Sequence, residues 1–153
     1  MLAFRFYDVV LALHVAAIVT AFGVVATYPA VVPWLRRTHP GSMVVVHEVQ
    51  ARIGRMVITP AATLALLAGV YLASDAHLWS EVWVVVPFVI LVVILGVGGA
   101  VLAPSERRLA TLAASGTDAP EYDAAFRRLL TLQTAVFVLV LVAIFFMVAK
   151  PGA

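Results

Sequence analysis

Four long apolar segments dominate this chain and limit the folds open to it. They run over about residues 6–35, 55–73, 82–103 and 129–149. A helix needs about 20 apolar residues to cross a hydrocarbon core about 30 Å thick, and each segment is close to that length or longer. A spanning backbone has no water to bond with, so each segment should be helical. The sequence therefore predicts an all-α integral membrane four-helix bundle, with residues 1–153 forming one four-span domain.

The composition agrees with this class and excludes others. The chain is 64% hydrophobic and 12% charged, whereas a soluble domain has about 45–50% apolar and about 25% charged residues. It has no cysteine, which excludes disulfides, zinc fingers and a cysteine nucleophile. The first apolar segment is longer than the ~7–15 apolar residues of a cleaved signal peptide, so we expect it to remain as a helix.

The basic residues predict how the bundle is oriented. Eight of the ten Lys and Arg residues lie in the two connections on one side, which we call the arginine-rich end. They are Arg36, Arg37, Arg52, Arg55, Arg107, Arg108, Arg127 and Arg128. By the positive-inside rule this end faces the cytoplasm and both termini face outward. Topology accounts for the arginines, so nothing in the sequence favours nucleic-acid binding.

His14 is the ionisable residue that lies deep within the first apolar segment. It follows Phe6 by eight residues, about 12 Å along a helix, and an ionisable group at that depth is a functional candidate. Its helix face includes Ala17 and Ala21, which leave room for a flat group. A neutral imidazole in an apolar site is a good axial ligand for haem iron. The alternative is a histidine bonded to a hydroxyl or carbonyl of a neighbouring helix.

Two arginines at the start of the second segment are candidates for binding a cofactor. Arg52 and Arg55 share a helix face with Ala62 and Gly69. Guanidinium groups pair well with carboxylates, so they could hold the propionates of a haem. The alternative is that they only fix the orientation of the helix at the lipid phosphates. Arg52 also follows Glu48 by four residues, the spacing of an ordinary helix ion pair.

The second axial ligand of a haem is left open by the sequence. Met147, Met56, His47 and the same His14 of a second copy are the alternatives. We expect His47 to be solvated at the inner end of the second helix. The four histidines fall on opposite sides of the membrane, so no cluster with metal-ligand spacing is predicted within one chain.

The remaining polar residues predict helix packing more than chemistry. Thr131, Gln133 and Thr134 in the fourth segment should hydrogen-bond between helices. Asp8 lies near the outer interface and the other acids are expected in loops. Because few carboxylates are expected inside the membrane, a proton-driven transporter is disfavoured.

Several short motifs resemble a known family. The first helix carries Leu13-His14-Val15-Ala16, Phe22-Gly23 and Tyr28-Pro29. Further matches are Glu48, Arg52, Pro60-Ala61, Gly69, Phe126-Arg127-Arg128 and Lys150-Pro151. Their order and spacing resemble the HemJ-type protoporphyrinogen oxidases, which are similar in turn to the CopD-like membrane proteins. The chain looks like a four-helix bacterial membrane family allied to HemJ.

This resemblance implies a bacterial cytoplasmic membrane protein that binds haem b as a homodimer or other homo-oligomer. The functional histidine of the family's first helix maps onto His14. HemJ proteins also carry a lysine early in the third helix, where this chain reads Trp83-Val84-Val85-Val86-Pro87. The favoured function is therefore haem-b binding with a redox, electron-transfer or haem-handling role, with a redox partner. The alternatives are an oxidoreductase acting on a porphyrin or quinone-like substrate, and a cofactor-free accessory or structural subunit. No catalytic residue is predicted.

Overall fold

The computed structural model describes residues 5–152, which are helical apart from short connections and contain no strand. The α-helices are α1 (Phe6–Gly23), α2 (Tyr28–Thr38), α3 (Met43–Ile53), α4 (Thr59–Asp75), α5 (Val82–Val97), α6 (Ala103–Ser115) and α7 (Pro120–Ala149). Residues 1–4 and 153 of the predicted domain lie outside the described part. The prediction of an all-helical fold is confirmed.

The seven α-helices join into four long ones. A 3₁₀ turn joins α1 to α2, and single π-helical turns join α3 to α4 and α5 to α6. The long helices are Phe6–Thr38, Pro40–Asp75, Val82–Ser115 and Pro120–Ala149. Each is long and apolar enough to cross a membrane, as the four apolar segments predict.

The long helices extend beyond the predicted segments at the arginine-rich end. The second begins at Pro40 instead of near residue 55, and the third continues to Ser115. The second has 36 residues, about 54 Å of helix, which exceeds the ~30 Å hydrocarbon core. The extra turns are more polar and lie outside the apolar segments. The sequence also predicts helix over residues 43–54 and 105–114, and this is confirmed.

Each π-helical turn lies just before a proline. Gly54–Ile58 precedes Pro60, and Gly98–Leu102 precedes Pro104. Proline has no N–H and its ring clashes with the carbonyl of the preceding turn. A π turn widens the backbone locally, so the third helix passes Pro104 without ending.

Two buried clusters hold the helices together. The apolar core contains Ala17, Ala21, Phe22, Val25, Ala62, Ala65, Leu91, Ile94, Val136 and Val140. The arginine-end core contains Tyr28, Val32, Met43, Leu109, Ala113, Tyr122, Phe126 and Leu129. Helix α1 packs on α4, α5 on α7, and α3 on α6. The alanines in the first cluster let α1 and α4 approach closely, which is how helices associate where the hydrophobic effect is weak.

Candidate functional site

His14 lies in the middle of α1 and contacts α4. Its Nδ1 atom is 2.7 Å from the main-chain carbonyl oxygen of Ala65. A carbonyl can only accept a hydrogen bond, so in the neutral imidazole Nδ1 carries the proton and donates it. The other nitrogen, Nε2, then keeps its lone pair. Within residues 5–152 Nε2 has no hydrogen-bond partner and is not completely buried, and the side chain as a whole is half-buried.

Gly69 makes room for this imidazole on α4. A Cβ atom at Gly69 would lie 3.2 Å from Cε1 of His14 and 3.5 Å from Nδ1. Buried Ala17 and Ala65 extend the close contact between α1 and α4. A bond from His14 to a carbonyl of a neighbouring helix was the alternative to ligation in the sequence, and this bond is formed. It uses Nδ1 and therefore leaves Nε2 without a hydrogen bond. Ligation by Nε2 stays a prediction.

Arg52 and Arg55 are not brought to His14. Arg52 lies in the last turn of α3 and Arg55 lies in the π turn that follows. Ala65, the partner of His14, comes ten residues after Arg55, about 15 Å further along the helix. The two arginines instead line a groove with Arg107 of α6. The candidate ligand and the candidate carboxylate-binding residues therefore occupy separate places.

The groove between α3 and α6 has a volume of about 800 Å³. Its lining consists of Val44, Glu48, Val49, Ala51, Arg52, Arg55, Arg107, Ala110, Thr111 and Ala114. The ion pair expected between Glu48 and Arg52 is not formed, since the three ion pairs within residues 5–152 join other side chains. An exposed helix pair contributes only about 0.2–0.5 kcal/mol, too little to hold two long side chains together. The groove is basic and partly apolar.

A buried polar layer contains one residue from each of the four long helices. Its members are Tyr28, Gln50, Glu106 and Gln133. The Gln133 amide donates from Nε2 to Oε1 of Glu106 at 3.3 Å. On α7, Gln133 lies between Leu129 of the arginine-end core and Val136 of the apolar core. The bonded pair of Glu106 and Gln133 therefore lies where the two apolar clusters meet.

His47 is buried beside this layer, one turn closer to the chain's arginine-rich end. Its side chain is fully buried, and its Nε2 atom is 2.9 Å from the hydroxyl of Tyr122. The expectation of a solvated His47 is wrong, because α3 does not protrude into water but packs on α6. His47 also packs edge-on against Phe126. With Nε2 bonded to Tyr122, His47 has only Nδ1 free.

Several polar atoms in this region have no protein partner. They are Oη of Tyr28, Nδ1 of His47, and both side-chain amide atoms of Gln50. Gln50 lies beside His47, but the two form no well-aligned hydrogen bond. Buried polar atoms without a bond cost about 1–3 kcal/mol each. Four of the five such atoms found within residues 5–152 therefore lie in the polar layer or next to it.

Glu106 is a buried residue that the sequence does not predict. The third apolar segment ends near residue 103 and the acids other than Asp8 are expected in loops, which is wrong for Glu106. Because α6 continues the helix, Glu106 shares a buried face with Leu109 and Ala113. The spacing i, i+3, i+7 was present in the sequence and is the signal that could have found it.

Of the three polar residues in the fourth segment that were expected to hydrogen-bond between helices, one does so. The expected bond from Gln133 to another helix is confirmed by its contact with Glu106. Thr131 and Thr134 instead donate to carbonyls of their own helix, one turn earlier. Serine and threonine hydroxyls commonly bond in this way, which satisfies them without a neighbour.

Within residues 5–152, no three His, Cys, Asp or Glu side chains come together as a metal site. An axial haem ligand requires one side chain only. Comparisons with protein-family models, with curated proteins and with solved structures found no match. The resemblance to HemJ-type proteins therefore stays a prediction.

Proposed function

We propose that this chain is a four-span protein of the bacterial cytoplasmic membrane that binds haem b through Nε2 of His14. The observation that carries the proposal is the 2.7 Å hydrogen bond between His14 Nδ1 and the Ala65 carbonyl. Histidines that bind metals usually donate their other ring N–H to a carbonyl or carboxylate, which fixes the tautomer and the ring orientation. His14 has this arrangement, with Nε2 free of hydrogen bonds in the described residues.

The surface of the bundle supports insertion into a membrane. Large apolar side chains point outward on all four long helices, including Val19, Leu67, Val93 and Phe145. A water-soluble monomer rarely exposes contiguous apolar patches of such extent. The positive-inside rule orients the arginine-rich end toward the cytoplasm and both termini outward. The lipid bilayer is then the first partner of the chain.

The residues around His14 fit an axial haem ligand on the outer face of the bundle. Nε2 forms no hydrogen bond in the described residues, and Gly69 keeps the ring close to α4. Because His14 is half-buried, a second copy of the chain could approach it and would supply its own His14 as the second axial ligand. His47 does not suit this role, because its side chain is fully buried against Tyr122 and Phe126. A homodimer is therefore the assembly that fits the site best.

Bound haem would supply one-electron redox chemistry at this position. The chain's contribution is to hold His14 in one tautomer and to surround it with apolar helices. A role in electron transfer, redox sensing or haem handling follows, with a redox partner. Oxidation of a porphyrin or quinone-like substrate is disfavoured, because the third helix has no lysine. The same hydrogen bond would also serve a cofactor-free accessory subunit, since it ties α1 to α4.

The absorption spectrum of the purified protein separates these possibilities. The protein is expressed with added haem precursor, purified in detergent, and measured oxidised and dithionite-reduced. The proposal expects a Soret band with reduced α and β bands, and His14→Ala should remove most of it. His39→Ala is the matched control, since His39 is exposed at the end of α2. A colourless protein, or a Soret band that survives His14→Ala, would contradict haem binding at His14.

A further inference from the structure

The groove between α3 and α6 carries arginines that the ion pairs of the protein do not use. Of the eight arginines at the arginine-rich end, Arg36 and Arg127 pair with Asp123 and Arg108 pairs with Glu121. The other five form no ion pair within residues 5–152. Three of these five line this one groove: Arg52, Arg55 and Arg107.

Membrane topology alone does not explain this convergence. The positive-inside rule requires basic residues at one end of the bundle but not in one groove. Arg37 and Arg128 also carry free charge at this end, and neither lines the groove. Glu48 is the only acid in the lining, so three guanidinium groups and one carboxylate leave two positive charges in excess. Like charges held together attract an anion.

The residues that line the groove also favour one kind of anion over others. Guanidinium groups bind phosphate oxygens through two parallel hydrogen bonds. The rest of the lining is largely apolar, with Val44, Val49 and Ala110 among its residues, which suits the glycerol and acyl carbons next to a phosphate. Glu48 and Thr111 can accept hydrogen bonds from hydroxyl groups. These features together fit a phosphodiester with a hydroxylated headgroup.

We propose that this groove binds the headgroup of an anionic phospholipid with a polyol headgroup, such as a glycerol phosphodiester. The inference rests on the proposed insertion into a membrane, which brings the groove to the level of the inner-leaflet phosphates. Basic pockets between membrane helices on the cytoplasmic side are known to bind such headgroups. The lipid-binding inference does not depend on haem binding, because the groove and His14 are in separate places.

The test measures which lipids stay bound to the purified protein. The full chain is reconstituted in nanodiscs with equal phosphatidylglycerol and phosphatidylethanolamine, re-extracted into detergent and examined by native mass spectrometry. The proposal expects retained phosphatidylglycerol in the unmodified protein. Arg52→Gln combined with Arg107→Gln should lower its retention roughly tenfold or more, since charge-assisted bonds are lost. Arg37→Gln with Arg128→Gln removes the same charge from the same end and should retain the lipid.

Other outcomes overturn the proposal in distinct ways. Equal loss in both double variants would mean general surface attraction only. Equal retention of phosphatidylethanolamine would mean that the groove does not select an anion, and displacement by millimolar inorganic phosphate would mean a free-anion site. If the double variant fails to fold, Arg107→Lys serves instead, because it keeps the charge and loses the two-pronged geometry. The Soret band should be the same in every arginine variant. Loss of lipid binding and loss of haem binding can therefore be told apart.

Discussion

His47 and Tyr122 are joined by a 2.9 Å hydrogen bond between the imidazole Nε2 atom and the phenol oxygen, although 75 residues separate them in the sequence. Both side chains are fully buried. The bond connects α3 to the start of α7, and so ties the second long helix to the fourth. It also fixes one nitrogen of the only fully buried histidine among residues 5–152.

Replacing Tyr122 by phenylalanine should destabilise the bundle. The ring stays and keeps its packing, but His47 loses its only hydrogen-bond partner in the interior. A buried polar group left without a bond costs about 1–3 kcal/mol. Thermal unfolding in detergent should show a lower midpoint for Tyr122→Phe. Tyr7→Phe is the control, because no hydrogen bond of Tyr7 is lost, and a similar shift in both variants would contradict the role of this bond.

Glu106 should tolerate glutamine better than alanine. Glutamine keeps the volume and can still accept the bond from Gln133, whereas alanine leaves a cavity and an unpaired amide. A buried side chain shortened to alanine costs about 2–5 kcal/mol. We expect Glu106→Gln to unfold near the midpoint of the unmodified protein and Glu106→Ala well below it. If both variants unfold alike, the Glu106–Gln133 bond does not contribute to stability.

The architecture could be predicted from the sequence because it depends on the length of apolar runs. Four such runs gave four long helices, and the grouping of the arginines gave one charged end. The position of His14 in an apolar helix predicted either ligation or a bond to a neighbouring helix, and the second of these is formed with Ala65. These conclusions need only local information along one helix.

The partners of buried polar residues could not be predicted in the same way. Helices α1 and α5 are apolar on all sides, so their pattern does not indicate which face is buried. The polar layer requires the rotation and depth of four helices to be known together, since Glu106 and Gln133 come from different ones. The separation of Arg55 from His14 has the same origin, because it depends on the depth at which α1 packs on α4, which brings His14 to Ala65.

Arg36 should contribute to stability, in contrast to its neighbour Arg37. Its guanidinium carbon lies 4.6 Å from the centre of the Phe126 ring and 5.2 Å from that of Tyr122, and its Nη1 atom is 2.9 Å from Asp123. Cation–π contacts contribute about 0.5–2 kcal/mol, more when partly desolvated. Arg36→Gln should lower the unfolding midpoint, whereas Arg37→Gln should leave it nearly unchanged. Equal effects would show that only net charge matters.

Gly69→Ala tests the contact between α4 and His14 without removing the histidine. The new Cβ atom would be 3.2 Å from Cε1, so the imidazole must move and its bond to Ala65 should weaken. Gly96→Ala in α5 is the matched control, since a Cβ atom there meets nothing within 4 Å and alanine favours the helix by about 1 kcal/mol. The unfolding midpoint should fall for Gly69→Ala and stay or rise for Gly96→Ala. In a preparation that shows a Soret band, Gly69→Ala alone should shift or weaken it, because the ligand ring is displaced. If both glycine variants behave alike in both measurements, the close approach of His14 to Gly69 has no part in holding the ring.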